Sequence, residues 1–294
     1  MFWGIVSSVL SVLNTFAYQR AISAGVAMGA KPLFRTFYNN VVVIAIILAL
    51  FIVAAPFGDF VSLDFGPYFR EPLLLALAAG ASLAGIGASL AGQYAYSNER
   101  AGVLAPYSET GRLLTIVGGF FIFANQSYVP FVSAIVAVLA IVACSVDFKS
   151  LSVNRYCAVL AASGFLRAFS SIAIGYVVTK VAPFAITMFD VAFATALCLA
   201  VLLRKKWMPA YDREKFVELT KWTAANDGTW IITFVISLLL LKSLGIVTVS
   251  LLGMLTLVLT VAFDAFRSKK LPPAKISALA AIVATCVGVG SFFR

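Results

Sequence analysis

The residues with the most chemical capacity in this chain are ionisable groups set inside apolar sequence. The run Ala105-Pro106-Tyr107-Ser108-Glu109-Thr110-Gly111-Arg112 places a proline one turn ahead of an acid and a base. Glu109 and Arg112 stand at helical spacing on one face and are able to pair. Further along, Arg167, Asp190 and Asp227 interrupt stretches that are otherwise mostly apolar. Charge is costly in hydrocarbon, so such groups mark substrate paths, proton relays or paired structural sites. Two readings of Glu109–Arg112 stand side by side: a substrate or proton site, and a buried ion pair that neutralises its own cost.

Neutral polar residues recur at helical spacing around these charges. Ser7, Ser11, Asn14 and Tyr18 form one such stripe, and Tyr38 with Asn39 another. Ser82, Ser89 and Gln93, with Tyr96 close behind, form a third, and Thr223, Asn226, Asp227 and Trp230 a fourth. Hydrogen bonding between helices accounts for most of the hydroxyls. It accounts less well for Glu109, Arg167 and Asp190, which need partners or water. A central wet cavity lined by several helices satisfies them together. The candidate substrate-binding set is therefore Glu109, Arg112, Arg167, Asp190, Asn14, Asn39, Gln93, Tyr96 and Trp230. Glu109, Asp190 and Asp227 are the candidates for proton coupling, by the chemistry of carboxyls within spans. Arg35 and Asp264 fall nearer span ends and are expected to snorkel toward headgroups.

The sequence that must hold these groups in place is nearly all membrane. The chain has 294 residues, 62% of them hydrophobic and 12% charged, with a mean hydropathy of +1.01. A spanning helix needs roughly 20 mostly apolar residues, and about ten windows qualify. They lie near 2–18, 33–55, 72–95, 102–123, 129–146, 154–178, 183–203, 222–241, 246–266 and 275–293. Every backbone amide must be satisfied within the bilayer, and windows of this length do so as helices rather than as barrel strands. The expected fold is an all-α polytopic membrane protein. The polar stretch 204–221 is expected to form a short amphipathic helix at the surface.

Several function classes are disfavoured. The net charge of +10 comes from Lys and Arg in loops, which signal topology and meet lipid headgroups rather than nucleic acid. There is no histidine, and Cys144, Cys157, Cys198 and Cys286 stand singly, so neither a metal site nor a disulfide framework is expected. No cofactor is implied. No nucleophile motif, metal motif or acidic cluster suggests an enzyme. The N-terminus lacks a basic segment before its apolar run, which predicts a retained helix rather than a cleaved signal.

An internal repeat organises the spans. Setting Ala182-Pro183-Phe184 opposite Lys31-Pro32-Leu33 also pairs Thr187 with Thr36, Phe189 with Tyr38 and Asp190 with Asn39. Gly245 then falls opposite Gly102, and Pro273 opposite Pro130. The halves are 1–148 and 149–294, each with five helices. An odd number of spans per half inverts one repeat against the other, a recurrent transporter construction with the site at the repeat interface. The basic residues gather in the loops opposite the termini, which places both termini outside the cytoplasm. The fifth and tenth spans lack interior charge, and the tenth carries Ala280, Ala284 and Gly288 at close-packing spacing. That pattern suits intramolecular packing or a homodimer through these two spans.

The five-plus-five plan, the Pro-led second and seventh spans, Gln93-Tyr94-Ala95-Tyr96 followed by Ala101-Gly102-Val103-Leu104-Ala105-Pro106, and the later Leu244-Gly245-Ile246-Val247 carry a resemblance. Over essentially its whole length the chain resembles the drug/metabolite transporter superfamily, in particular its ten-helix EamA-type members. It departs from the family's acidic turn, with Ala124-Asn125-Gln126 and Phe266-Arg267-Ser268 in the corresponding places. The resemblance implies a carrier of small metabolites working by alternating access in a bacterial inner membrane, with termini inside, opposite to the charge reading. Charges of both signs suit an amino acid or another zwitterionic or anionic solute. The alternatives are a flippase for a lipid-linked headgroup and a multidrug exporter of the same fold.

Overall fold

A computed structural model describes residues 2–54, 63–99, 101–123, 128–145, 154–250, 252–253, 255–256, 259 and 273–292. All the regular structure among them is helical: α1 (Phe2–Ala27), α2 (Pro32–Ala54), the short α3 (Gly66–Arg70), α4 (Pro72–Tyr96), α5 (Ala101–Ile122) and α6 (Tyr128–Ser145). After these come α7 (Arg155–Val177), α8 (Pro183–Lys205) and α9 (Arg213–Leu244). A further helix, α10, starts at 246–250 and includes 252–253, 255–256 and 259, and α11 spans Pro273–Phe292. Five helices among the described residues, α2, α4, α7, α8 and α9, are long and apolar enough to cross a membrane.

Local sequence explains where the helices begin and end. Proline opens α2, α4, α8 and α11, where its missing N–H costs nothing and its fixed φ favours the first turn. Asn154 caps α7 by accepting from Tyr156 N and Cys157 N at 3.0 and 2.9 Å. Its amide also donates to Glu99 Oε2 at 2.9 Å, tying that cap to the α4–α5 turn. Asp212 caps α9 by accepting from Lys215 N at 3.3 Å. Residues 213–221 are the first turns of the 32-residue α9 and not a separate surface helix, because Asp212 starts one uninterrupted helix. Beyond α9 the chain turns at Gly245, whose φ of 78° suits glycine.

The outer surface is apolar. Phe69, Ile52, Phe121 and Phe165 are each more than 60% exposed, a pattern suited to lipid rather than water. Inside, α1 packs along α9, α4 along α7, α5 along α7, and α6 along α11. α2 packs against both α8 and α9, and α4 also meets α8. Ile116, Val138, Val247 and Val283 form one core where α5, α6, α10 and α11 meet. Leu74, Val177, Ile186 and Leu238 form another among α4, α7, α8 and α9, with Tyr68 of α3 buried against it.

Two contacts fix the geometry near the bundle centre. A Cβ on Gly164 of α7 would stand 2.7 Å from Gly111 N of α5, so these backbones touch. Arg35 does not snorkel: it is buried, donates from Nη1 to Ile22 O at 3.1 Å, and lies against Gly25 of α1, where a Cβ would collide with it. Asp264 lies outside the described residues.

Candidate functional site

Two polar chambers sit side by side in the bundle. The first, of about 500 Å³, is built from the first half of α1, the middle of α5 and α7, the second half of α9, and α10. Arg112 and Arg167 both line it. Hydroxyls surround them, from Ser7 and Ser11 of α1, Thr115 of α5, Ser171 of α7 and Ser250 of α10. The Arg112 guanidinium lies flat over Gly253, where a Cβ would come within 3.4–3.5 Å of Nη2, Cζ and Nε. Arg167 reaches the other way, toward Gly92 of α4, where a Cβ would stand 3.3 Å from its Nη2. The absence of a side chain at Gly92, Gly111 and Gly253 is what leaves room for two long cations. No Asp or Glu among the described residues lines this chamber.

The second chamber, of about 390 Å³, lies between α1, α2, α4, α7, α8 and α9. It holds Asp190 and Asp227 with the amides of Asn14, Asn39, Asn40 and Asn226. Ser82 Oγ donates to Asp190 Oδ1 at 2.5 Å, linking α4 to α8. Asp227 is almost fully buried and accepts at Oδ1 from Asn226 Nδ2 at 2.7 Å. Its Oδ2 has no hydrogen-bond partner among the described residues, and neither does Asn40 Nδ2. A buried carboxylate with a free oxygen is costly without a cation, a proton or water beside it. This chamber therefore offers acceptors to a positive charge.

Asn14, Ile174 and Phe234 line both chambers and form the boundary between them. Asn14 Nδ2 donates to Asn226 O at 2.7 Å and Asn226 Oδ1 at 3.0 Å, which fixes α1 to α9 there. Tyr18 and Tyr96 stack edge to face at 6.2 Å, with Tyr18 in the second chamber and Tyr96 in the first.

Of the residues expected from sequence, Arg112, Arg167 and Tyr96 thus gather in one chamber, and Asn39, Asp190, Asp227 and Trp230 in the other, with Asn14 between. Gln93 lines neither chamber; its Nε2 donates to Thr36 Oγ1 at 2.8 Å and joins α4 to α2. The side chain of Glu109 lies outside the described residues. Sequence reading missed Asn40 and the boundary pair Ile174 and Phe234. The doublet Asn39-Asn40 was a signal for the first, whereas two apolar residues among dozens gave none. Cys157, Cys198 and Cys286 are free thiols, and the described residues hold no cluster of three or more metal-ligating side chains.

The fold and these chambers define a helical membrane protein with a divided polar interior. By sequence, no family model and no curated protein matches the chain. A solved structure described only as "Crystal structure of protein" is similar over 99% of this chain and 96% of that one, with a TM-score of 0.68 and 15% identity. That likeness concerns the fold alone.

Proposed function

We propose that the chain is a secondary transporter of the drug/metabolite type, moving a small zwitterionic or anionic metabolite by alternating access. The observation that carries this reading is the pair of adjoining chambers of opposite character, one with two arginines and one with two aspartates. A carboxylate or phosphate suits the first, where the Arg167 guanidinium and a ring of hydroxyls offer donors. An amino group, a coupling cation or a proton suits the second.

The helix packing also favours two inverted five-helix repeats. Exchanging the halves maps α1 against α9 onto α7 against α4, and α2 against α9 onto α8 against α4. The same exchange maps α2–α8 and α6–α11 onto themselves, since each is a pair of counterparts. Repeats that pack through matching surfaces are suited to rocking about a central site. The basic loops opposite the termini make an inner cell membrane with both termini outside the natural orientation for this reading.

The test is uptake into proteoliposomes of a panel of amino acids, small carboxylates and organic cations, with and without a pH gradient. Wild type is expected to carry an anionic or zwitterionic solute and Arg167→Gln to lose that flux. Asp190→Asn is expected to keep exchange and lose any response to the pH gradient. Flux of organic cations that survives Arg167→Gln would move the assignment to multidrug export. Lipid movement with no solute flux would move it to a flippase.

A further inference from the structure

A third cavity, of about 610 Å³, continues the line of the acidic chamber toward one end of the bundle. Along α2 the lining passes from Asn39 and Thr36 in the chamber to Leu33 in this groove; along α8 it passes from Asp190 and Ala194 to Leu197 and Val201. Each step is about one helical turn on the same face. On α4, Ile86 lines both cavities and Leu90 only the groove. The groove is therefore the hydrocarbon-lined continuation of a polar interior, with Ile86 lining both.

The groove's end is different. Lys31, exposed at the start of α2, and Trp207, just past the end of α8, complete its lining. Arg204, Lys205 and Lys206 are exposed in the residues leading to Trp207. Lys206 has a φ of 53°, a conformation that L side chains rarely adopt and that glycine usually supplies at a helix end. That turn lets Trp207 N donate to Leu202 O at 3.2 Å and sets the indole at the groove. Tryptophan favours the headgroup level of a bilayer, and clustered lysines favour anionic lipid. The positive end of the α2 dipole adds to the same potential.

We infer that this groove holds one acyl chain of an anionic phospholipid, with the headgroup phosphate at Lys31 and Trp207. The bound chain covers Ile86 and seals the acidic chamber from the bilayer. Charge selects the lipid, because the apolar lining alone would accept the chain of any phospholipid. The inference stands on the groove and its basic rim and does not rest on the transport reading.

The experiment uses the full chain purified in detergent, with phosphatidylglycerol and phosphatidylcholine of identical acyl chains as probes. Retained lipid is read by native mass spectrometry and protein stability by thermal melting. Wild type is expected to retain phosphatidylglycerol several-fold over phosphatidylcholine and to melt higher with it. Lys31→Gln should remove most of that preference while leaving the melting temperature without lipid unchanged. Leu90→Trp, which fills the groove, should lower retention of both lipids; its melting temperature without lipid reports separately on folding. Equal retention of both lipids by wild type would overturn the inference. So would dimers, seen by light scattering, that Leu90→Trp dissociates, since a second copy would then be the occupant.

Discussion

The arginine chamber and the aspartate chamber share Asn14, Ile174 and Phe234 yet are built on different principles. In the first, cations occupy space that glycines vacate: Arg112 lies over Gly253, and Arg167 reaches toward Gly92 beside the Gly111–Gly164 contact. In the second, carboxylates are held by neighbours, Asp190 by Ser82 and Asp227 by Asn226. Long guanidinium side chains need room and shape, whereas short carboxylates need donors brought to them. The same bundle supplies both because small residues let α5 approach α7 while polar side chains link α1 to α9 and α4 to α8. The divided interior thus keeps the Arg167 guanidinium and the two carboxylates in separate chambers.

The largest effect expected from breaking this arrangement is on flux. Arg167→Gln should lower uptake of an anionic substrate on the order of 100-fold, the scale for losing a charge-assisted hydrogen bond. Asp190→Asn should leave binding of that anion nearly unchanged. Equal losses in both variants, measured as uptake rates at fixed protein density, would mean that the chambers act as one site.

Gly164→Ala attacks the arginine chamber by pushing α5 from α7. The added Cβ meets backbone rather than a flexible side chain. A cost of about 3 kcal/mol is expected, the upper range for overpacking, and thermal melting in detergent would record it. An unchanged melting temperature would show that the two helices separate freely.

Asn14→Ala attacks the boundary. It removes the amide bonded to Asn226 O and Oδ1, at a cost of about 2 kcal/mol. If the second chamber depends on this tether, the variant should also weaken the effect of a pH gradient on transport.

The smallest effect belongs to Asp212, outside both chambers. Its carboxylate accepts Lys215 N–H and pairs with Lys215 Nζ at 3.2 Å, which holds the carboxyl below its ordinary range. A depressed carboxyl stabilises the fold above its unfolded-state value, and this contribution is lost as pH falls through the lowered one. Asp212→Asn should make that part of the acid melting profile flat while leaving flux untouched. A flux change would mean that the start of α9 is coupled to the site.

Much of this was legible in the residues. The windows near 33–55, 72–95, 102–123, 129–146, 154–178, 183–203 and 275–293 match α2, α4–α8 and α11 to within a few residues, because a bilayer leaves the backbone no other economical structure. By contrast, α1 runs on to Ala27, well past the window 2–18. Pro32 and Pro183 announced helix starts through proline chemistry alone. A second long error, a separate helix at 204–221, arose because polar residues hid the continuity of α9 where it extends past the apolar window. The ionisable residues that line the chambers were also visible, since charge within apolar sequence stands out one residue at a time.

How those residues are grouped was not visible. Spacing said nothing of Arg167, which lines the same chamber as Arg112 from 55 positions away in sequence. Nor did spacing show that Gln93 bonds to Thr36, a residue of the second chamber's lining, without lining either chamber itself. Sequence by itself determined that this chain is a bundle of apolar helices with a few costly polar groups, because the bilayer's demands act on each segment separately. Only the tertiary structure decided which charges share a chamber and which are walled apart, because that depends on how closely distant helices approach, and small residues such as Gly111 and Gly164 set the distance without any charge or pattern to announce it.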